Sequence, residues 1–323
     1  MSPALDPDAR RRTGGALLTA AAYGLWGVLP VYWKALADVP ATEVVAHRLV
    51  WMFAMAAGLV ALWRRTAEVR RIARSGRLVG LLALTAVLIA GNFLSYIYGV
   101  ATGRVLQCAL GYFIAPLLQV VLGAIVLRER LRRWQLLAAL LAAAGVGSLL
   151  ARHGVPWIAL AVAGTASAYT LLRKTAPVSP LAGLTVEGAL LSLPCLAYLN
   201  VRAATGEAAF VAGGWATSLL LIGAGAVTLA PMLCLVAGAR RVRLSTVGFL
   251  QYLTPTGNFL LAVLLFREPL RPDRLVAFLF IWAGLAVFSW DSWRHRPGPS
   301  AGSAQLRRSN QAELGRNTDL SAK

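Results

Sequence analysis

The sequence predicts an all-α integral membrane protein of ten transmembrane helices, arranged as two inverted five-helix repeats. Three observations carry that expectation: a composition too apolar for a soluble domain, a series of apolar segments of bilayer-crossing length, and a pair of short motifs repeated at a fixed offset. Of 323 residues, 58% are hydrophobic and 14% charged, and the mean hydropathy is +0.65. Soluble domains are roughly 45–50% apolar. The net charge of +19 does not point to nucleic acid, because the basic residues fall in short clusters between apolar runs and form no amphipathic or aromatic-interleaved surface. Cys108, Cys195 and Cys234 each lie inside an apolar run, without CxxC or Cys/His spacing. They read as packing residues, and neither a disulfide framework nor a metal site is indicated.

A helix crosses a bilayer with about 20 residues at about 1.5 Å each. The segment 14–34 follows Arg10, Arg11 and Arg12 like a signal peptide, but it is too long and carries Trp26, Pro30 and Trp33, so it reads as a retained helix. Segments 41–63 and 78–99 flank an Arg-rich link, 105–127 holds Pro116, and 133–151 ends at the short ARHGV connection. Segment 155–172 ends at Arg173-Lys174, 181–200 follows the stretch APVSP, 216–238 ends at ARRVR, 245–266 holds Pro255, and 273–291 closes the series. The connections leave no room for a folded soluble domain, so function must reside within the membrane. Residues 1–13 and 295–323 read as cytoplasmic, disordered tails, the latter rich in Pro, Gly, Ser and Asn.

Orientation follows from Lys and Arg placement. The clusters at 10–12, 64–77, 128–133, 173–174, 240–243 and 294–296 share one side, and only Lys34, Arg104, Arg152, Arg202, Arg267, Arg271 and Arg274 fall on the other. Both termini are expected to be cytoplasmic, in a multi-pass protein of a bacterial inner membrane.

VLRERLR (126–132) and LFREPLR (265–271) share Arg-Glu-x-Leu-Arg at an offset of 139 residues. The same offset aligns Pro116 with Pro255, Gly99 with Gly238 and Arg104 with Arg243. Five helices separate the copies, so the second half enters from the opposite face, as in inverted-repeat transporters. The expected units are 14–151 and 155–291.

Pro116 and Pro255 each free a backbone carbonyl four residues upstream, at Tyr112 and Gln251, and interrupted helices at matching places in two halves point to a binding site. Both are candidate helix breaks, with Tyr112, Gln251 and Tyr252 as candidate solute contacts. The alternative is a kink tolerated for packing. Asn92, Ser95 and Tyr96 form a polar stripe on the third segment, and Tyr23 and Trp26 show similar spacing on the first; these wall a cavity or serve as interhelical glue.

The deeply placed ionisable residues are His47, Arg48 and Glu187. Arg48 lies about 10 Å inside the second helix, where it anchors an anionic group on a solute or bonds to a neighbouring helix end. Glu187, its counterpart at the 139 offset, lies about 9 Å from the opposite surface. In a core of about 30 Å the two stay roughly 11 Å apart in depth, so a direct salt bridge is not expected. Glu187 is a proton-coupling candidate or an interfacial carboxylate. His47 is a weaker solute contact that faces headgroups or packs.

HRLVW, GNFLSYIYGV, LGYFIAPLLQVVLG and RVRLSTVGFLQYLTPTGNFLLAV resemble the RarD branch of the EamA family, in the drug/metabolite transporter superfamily, over nearly all of residues 14 to 291. The resemblance implies ten helices, an inner-membrane location and a bundle of two inverted five-helix units. It departs at Ala115, where RarD-like chains commonly have Asn, and at Arg128-Glu129 and Arg267-Glu268, where EamA repeats often have Gly-Glu. The family name points to chloramphenicol sensitivity, and no catalytic residue carries over.

The combined expectation is a secondary transporter moving a small amphiphilic metabolite or drug-like solute, such as an amino acid or a chloramphenicol-related compound, by alternating access. Membrane lipid is a partner and protons are candidate coupling ions; no cofactor, metal or nucleic acid is expected. A non-transporting modulator or scaffold is the alternative. An intramembrane enzyme is disfavoured because His47, His153 and His295 lie far apart with no carboxylate cluster.

Overall fold

The computed structural model describes residues 7–102, 104–153, 157–210, 212–265 and 272–294, and within them it is all-helical. The chain runs α1 (Pro7–Lys34), α2 (Ala41–Leu62), α3 (Thr66–Ala73), α4 (Gly76–Ala101), α5 (Val105–Ile125), α6 (Arg133–His153) and α7 (Trp157–Thr175). It continues with α8 (Pro180–Ala204), α9 (Gly214–Ala239), α10 (Leu244–Gln251), α11 (Leu253–Leu260), a π-helical turn (Leu261–Leu265) and α12 (Pro272–Arg294). Seven stretches among the described residues are long and apolar enough to cross a membrane: Arg10–Lys34, Ala41–Leu62, Gly76–Tyr96, Cys108–Ile125, Pro180–Ala204, Gly214–Ala239 and Leu244–Leu265.

Three local features differ from the sequence expectation. Helix α1 starts at Pro7, so it takes in residues that composition assigns to a disordered tail. A proline is tolerated in the first turn of a helix, where its missing N–H has no partner to lose. The link 64–77 contains the short amphipathic α3, whose Ile72 is fully buried. The two proline sites also behave differently: α5 passes through Pro116 unbroken, whereas the other copy divides at Tyr252, next to the Gln251 carbonyl that Pro255 cannot bond. The expectation of two matching helix breaks is therefore corrected to one. Arg267, Glu268, Arg271 and the tail from His295 lie outside the described residues.

Helix α2 packs against α8 and α9; α1 packs on α9, α10 and α11, α4 on α7 and α8, α5 on α7 and α10, and α6 on α12. Leu49, Met52, Ala56 and Val60 recur at helical spacing on α2 and meet Tyr169 of α7, Leu181 and Leu184 of α8, and Leu229 and Met232 of α9. The outward surface carries exposed Leu17, Val87, Leu193 and Trp215. So much exposed apolar surface suits lipid rather than water.

Side chains from distant helices cap the helix ends. Glu68 of α3 accepts hydrogen bonds from the Ser179 N–H and hydroxyl, both at 2.7 Å, while Ser179 caps α8 by accepting from the Ala182 N–H at 3.3 Å. Glu129 accepts from the Leu244 and Ser245 amides at 2.6 and 3.0 Å and from the Ser245 hydroxyl at 2.8 Å, closing the N-terminus of α10. Glu129 of the first Arg-Glu motif is thus a helix cap. Arg128 before it is left-handed, with φ 52°, which folds the chain so that the Glu129 N–H returns to the Gly123 carbonyl at 3.0 Å. Lys174 donates to the Ala239 and Val242 carbonyls at the C-terminal end of α9.

Candidate functional site

Arg48, the seventh residue after the start of α2, is half-buried and points among α1, α4 and α9. Its Nε donates to the Thr228 hydroxyl oxygen at 3.2 Å, and its guanidinium carbon lies 4.4 Å from the Phe93 ring centroid and 5.3 Å from that of Trp33. Thr228 in turn donates to the Ala224 carbonyl at 2.7 Å, which orients its lone pairs toward the arginine. Tyr112 lies in the same neighbourhood. Among the described residues no carboxylate lies within 4.0 Å of Arg48. A half-buried cation facing aromatic faces and one hydroxyl is stabilised but not neutralised, and it retains attraction for an anion.

Beside Thr228 and Phe93 lies a gap of about 10 Å³, bounded by Leu49, Met52, Leu184 and Glu187. It has room for about one water. Glu187, 2% exposed, makes its ion pair with Arg173 of α7: Nε stands 3.3 Å from Oε1. The Thr85 hydroxyl donates to Oε1 at 2.5 Å and the Tyr169 hydroxyl to Oε2 at 3.3 Å. Arg173 Nη2 donates to the Pro180 carbonyl at 3.2 Å, while Nη1 has no hydrogen-bond partner among the described residues. Thus Arg48 and Glu187 do not pair, and each is held by a different set of neighbours.

Arg173 is the residue that sequence reasoning missed. Placed with the basic cluster at a membrane surface, it is 1% exposed. Its distance of four from Tyr169 on one helix face was the available signal, but an Arg beside a Lys at a helix end reads first as a topology marker. Gly183 makes the burial feasible, because a Cβ there would stand 2.2 Å from Nη1.

The other candidates are distributed rather than gathered. His47 stacks on Phe210 with centroids 4.9 Å apart and lies 3.9 Å from Glu43. Glu43 is fully buried and accepts from the Ala209 amide at 2.7 Å and from Arg202 at 3.4 Å. His47 therefore belongs to a cluster closing one end of α2 and α8 and points away from Arg48. Asn92 donates to the Val162 carbonyl at 2.9 Å and the Thr165 hydroxyl at 3.1 Å, joining α4 to α7. Tyr96, 40% exposed, stands edge-on to Tyr112 at 6.0 Å. Gln251 accepts from the Gln119 amide at 2.6 Å and the Tyr23 hydroxyl at 3.4 Å, and Tyr252 donates to the Phe113 carbonyl at 3.3 Å. Trp26 packs on Tyr23 at 5.5 Å, beside the core of α2 and α9. Pro116 and Pro255 are both buried.

The chain matches the EamA-like transporter family twice, over residues 13–151 and 152–290. An uncharacterized transporter of Vibrio cholerae is 43% identical over 289 residues, which are 89% of this chain and 95% of the relative. Protein RarD of Escherichia coli K12 is 41% identical, covering 88% of this chain and 97% of its own length. Chloramphenicol-sensitive protein RarD of Pseudomonas aeruginosa is 31% identical over 87% and 95%. A protein of known crystal structure, 20% identical, superposes with a TM-score of 0.67 over 85% of this chain and 97% of its own, which shows a shared fold.

Proposed function

Because this chain belongs to the EamA-like transporter family, and within it to the RarD branch of the drug/metabolite transporter superfamily, we propose that it is a secondary transporter moving a small amphiphilic solute by alternating access. The observation that carries this reading is Arg48, a half-buried guanidinium set on two aromatic faces and one hydroxyl with no carboxylate within 4.0 Å among the described residues. The arginine takes an anionic group, carboxylate in the first instance, and Trp33, Phe93 and Tyr112 take the apolar body. Amino acids and chloramphenicol-related compounds are the solutes to try first; one relative bears chloramphenicol sensitivity in its name.

The reading includes ten spanning helices in two inverted units, 14–151 and 155–291, with both termini cytoplasmic. Its support is as follows. The two family matches begin 139 residues apart, the offset of the Arg-Glu motifs. Exchanging the halves turns the contact of α1 with α9 into that of α7 with α4, and the contact of α2 with α9 into that of α8 with α4. Gly238 stands against Thr19, and its counterpart Gly99 stands against Ile158, the counterpart of Thr19. The Tyr252 to Phe113 hydrogen bond joins residues 139 apart, as expected near a two-fold axis.

The gap of about 10 Å³ is too small for a solute, so entry requires α2 and α9 to part from α4 and α8. The sequence has no nucleotide-binding motif, and an ion gradient is the driver. Glu187 is the coupling carboxylate in this scheme: a proton on it weakens its hold on Arg173 and loosens α8 from α7.

Uptake into proteoliposomes tests the proposal. The parent should show saturable uptake, and Arg48→Ala should raise the half-saturating concentration about 10- to 100-fold, the value of one charge-assisted contact of about 1.5–3 kcal/mol. Arg48→Lys should fall between them. Glu187→Gln should retain solute exchange but lose uptake driven by a proton gradient. Unaltered saturable uptake in Arg48→Ala would remove this arginine from the binding site, and absence of flux in the parent would favour a modulator.

A further inference from the structure

A second concavity, remote from Arg48, lies where α6 begins and α12 ends. It measures about 350 Å³ and is lined by Arg132, Arg133, Trp134, Asp291 and Arg294. Three guanidiniums face one carboxylate there. Asp291, fully buried, holds Arg132 through an Nη1 to Oδ2 contact of 3.3 Å, which leaves Arg133 and Arg294, both exposed, as positive charge without that compensation. The guanidinium of Arg294 sits 5.2 Å over the Trp290 ring, and Trp290 meets Trp134 edge-on at 5.2 Å.

The surroundings identify the ligand class. Trp290 and Trp293 are 40% and 66% exposed beside the arginines, and exposed tryptophans at helix ends mark the boundary between headgroups and acyl chains. From Arg133, one face of α6 continues through Leu136, Leu137 and Leu140, all exposed, at the spacing of a helical stripe. A charged cup above an apolar track fits a molecule with a phosphate at one end and an acyl chain at the other. The amino end of α6 also presents the positive pole of its helix to the cup. A free anion would use the arginines but not the leucine track.

We propose that this cup binds the phosphate of an anionic phospholipid, with an acyl chain laid along α6. Basic pockets between helices at the bilayer surface suit anionic headgroups, and each arginine near an anionic surface contributes about a factor of five in association. The proposal is independent of whether the chain transports a solute.

Native mass spectrometry of the full chain in detergent tests it, with phosphatidylglycerol, phosphatidylcholine of matched chains, and inorganic phosphate as probes. The parent should retain phosphatidylglycerol over phosphatidylcholine, and Arg133→Gln with Arg294→Gln should weaken phosphatidylglycerol association about thirtyfold without altering phosphatidylcholine. Arg133→Lys with Arg294→Lys should keep most of the preference, and Arg70→Gln with Arg71→Gln on α3 should keep all of it. Equal retention of the two lipids, unchanged binding in the Gln pair, equal loss in the α3 pair, or displacement by inorganic phosphate alone would each overturn the assignment. If the Gln pair does not fold, a photoreactive phosphatidylglycerol on the parent decides: cross-links at 132–140 and 290–294 support the site, and cross-links confined elsewhere refute it.

Discussion

Gly183→Ala should destabilise this protein far more than a methyl group on a helix ordinarily does. A Cβ at 183 would lie 2.2, 2.6 and 2.7 Å from Nη1, Nη2 and Cζ of Arg173. An exposed arginine would swing aside, but this one is 1% exposed, paired with Glu187 at 3.3 Å and bonded to the Pro180 carbonyl. Moving it breaks the ion pair and strands a buried charge, which costs about 3–5 kcal/mol. Replacing both charges, Arg173→Met with Glu187→Leu, removes the obstruction. In that background Gly183→Ala should stabilise by up to about 1 kcal/mol, since Ala is the better helix former. The reversal of sign, an interaction of about 4 kcal/mol or more, is the quantity to measure. Unfolding in mixed detergent micelles, followed by circular dichroism, reads it directly. If Gly183→Ala has the same effect in both backgrounds, the guanidinium does not occupy the space beside Gly183 and the buried pair is wrongly drawn.

Other consequences are equally direct. Arg128→Gly should raise stability by about 1 kcal/mol, because φ 52° strains a side chain with a Cβ and not glycine; a thermal melt in detergent checks it. Glu129→Ala should lower stability by about 2 kcal/mol, through lost hydrogen bonds to a charged acceptor, and hydrogen exchange should quicken first at the Leu244 and Ser245 amides. Partial burial pushes the Glu68 carboxyl up, but the Ser179 N–H and hydroxyl together with the Arg71 and Arg65 charges outweigh it and hold the carboxyl below its ordinary 4.5. The stabilisation from Glu68 should therefore be complete above pH 4.5 and fade as pH falls through the lower folded value. The gap in unfolding midpoint between parent and Glu68→Gln should close on acidification, and a gap that widens would refute the assignment.

The bilayer makes much of this fold readable. It demands long apolar helices with their backbone bonds satisfied internally, so segment positions such as 41–63 and 216–238 come close to α2 and α9. The repeat is legible because Arg-Glu and Pro are rare signals against an apolar background. Arg48 and Glu187 stand out for the same reason. The partners of those residues are not legible. Arg173 reads as a surface charge until α8 brings Glu187 and the space over Gly183 to it, and nothing in the sequence singles out Glu43, on which Ala209 and Arg202 close. The matching proline sites predict two helix breaks, yet α5 stays whole while its counterpart divides at Tyr252.

By itself, then, the sequence determined the long apolar segments, the offset of 139 at which the Arg-Glu motif recurs, and that Arg48 and Glu187 are charges set within apolar runs. Those properties depend on residue type and spacing along one helix. Tertiary structure alone decided that Glu187 answers Arg173, that Arg48 is left with aromatic faces and a hydroxyl, and that His47 turns away from it. Such pairings depend on how each helix is rotated against its neighbours and on room left by small residues of another helix, as Gly183 leaves it for Arg173.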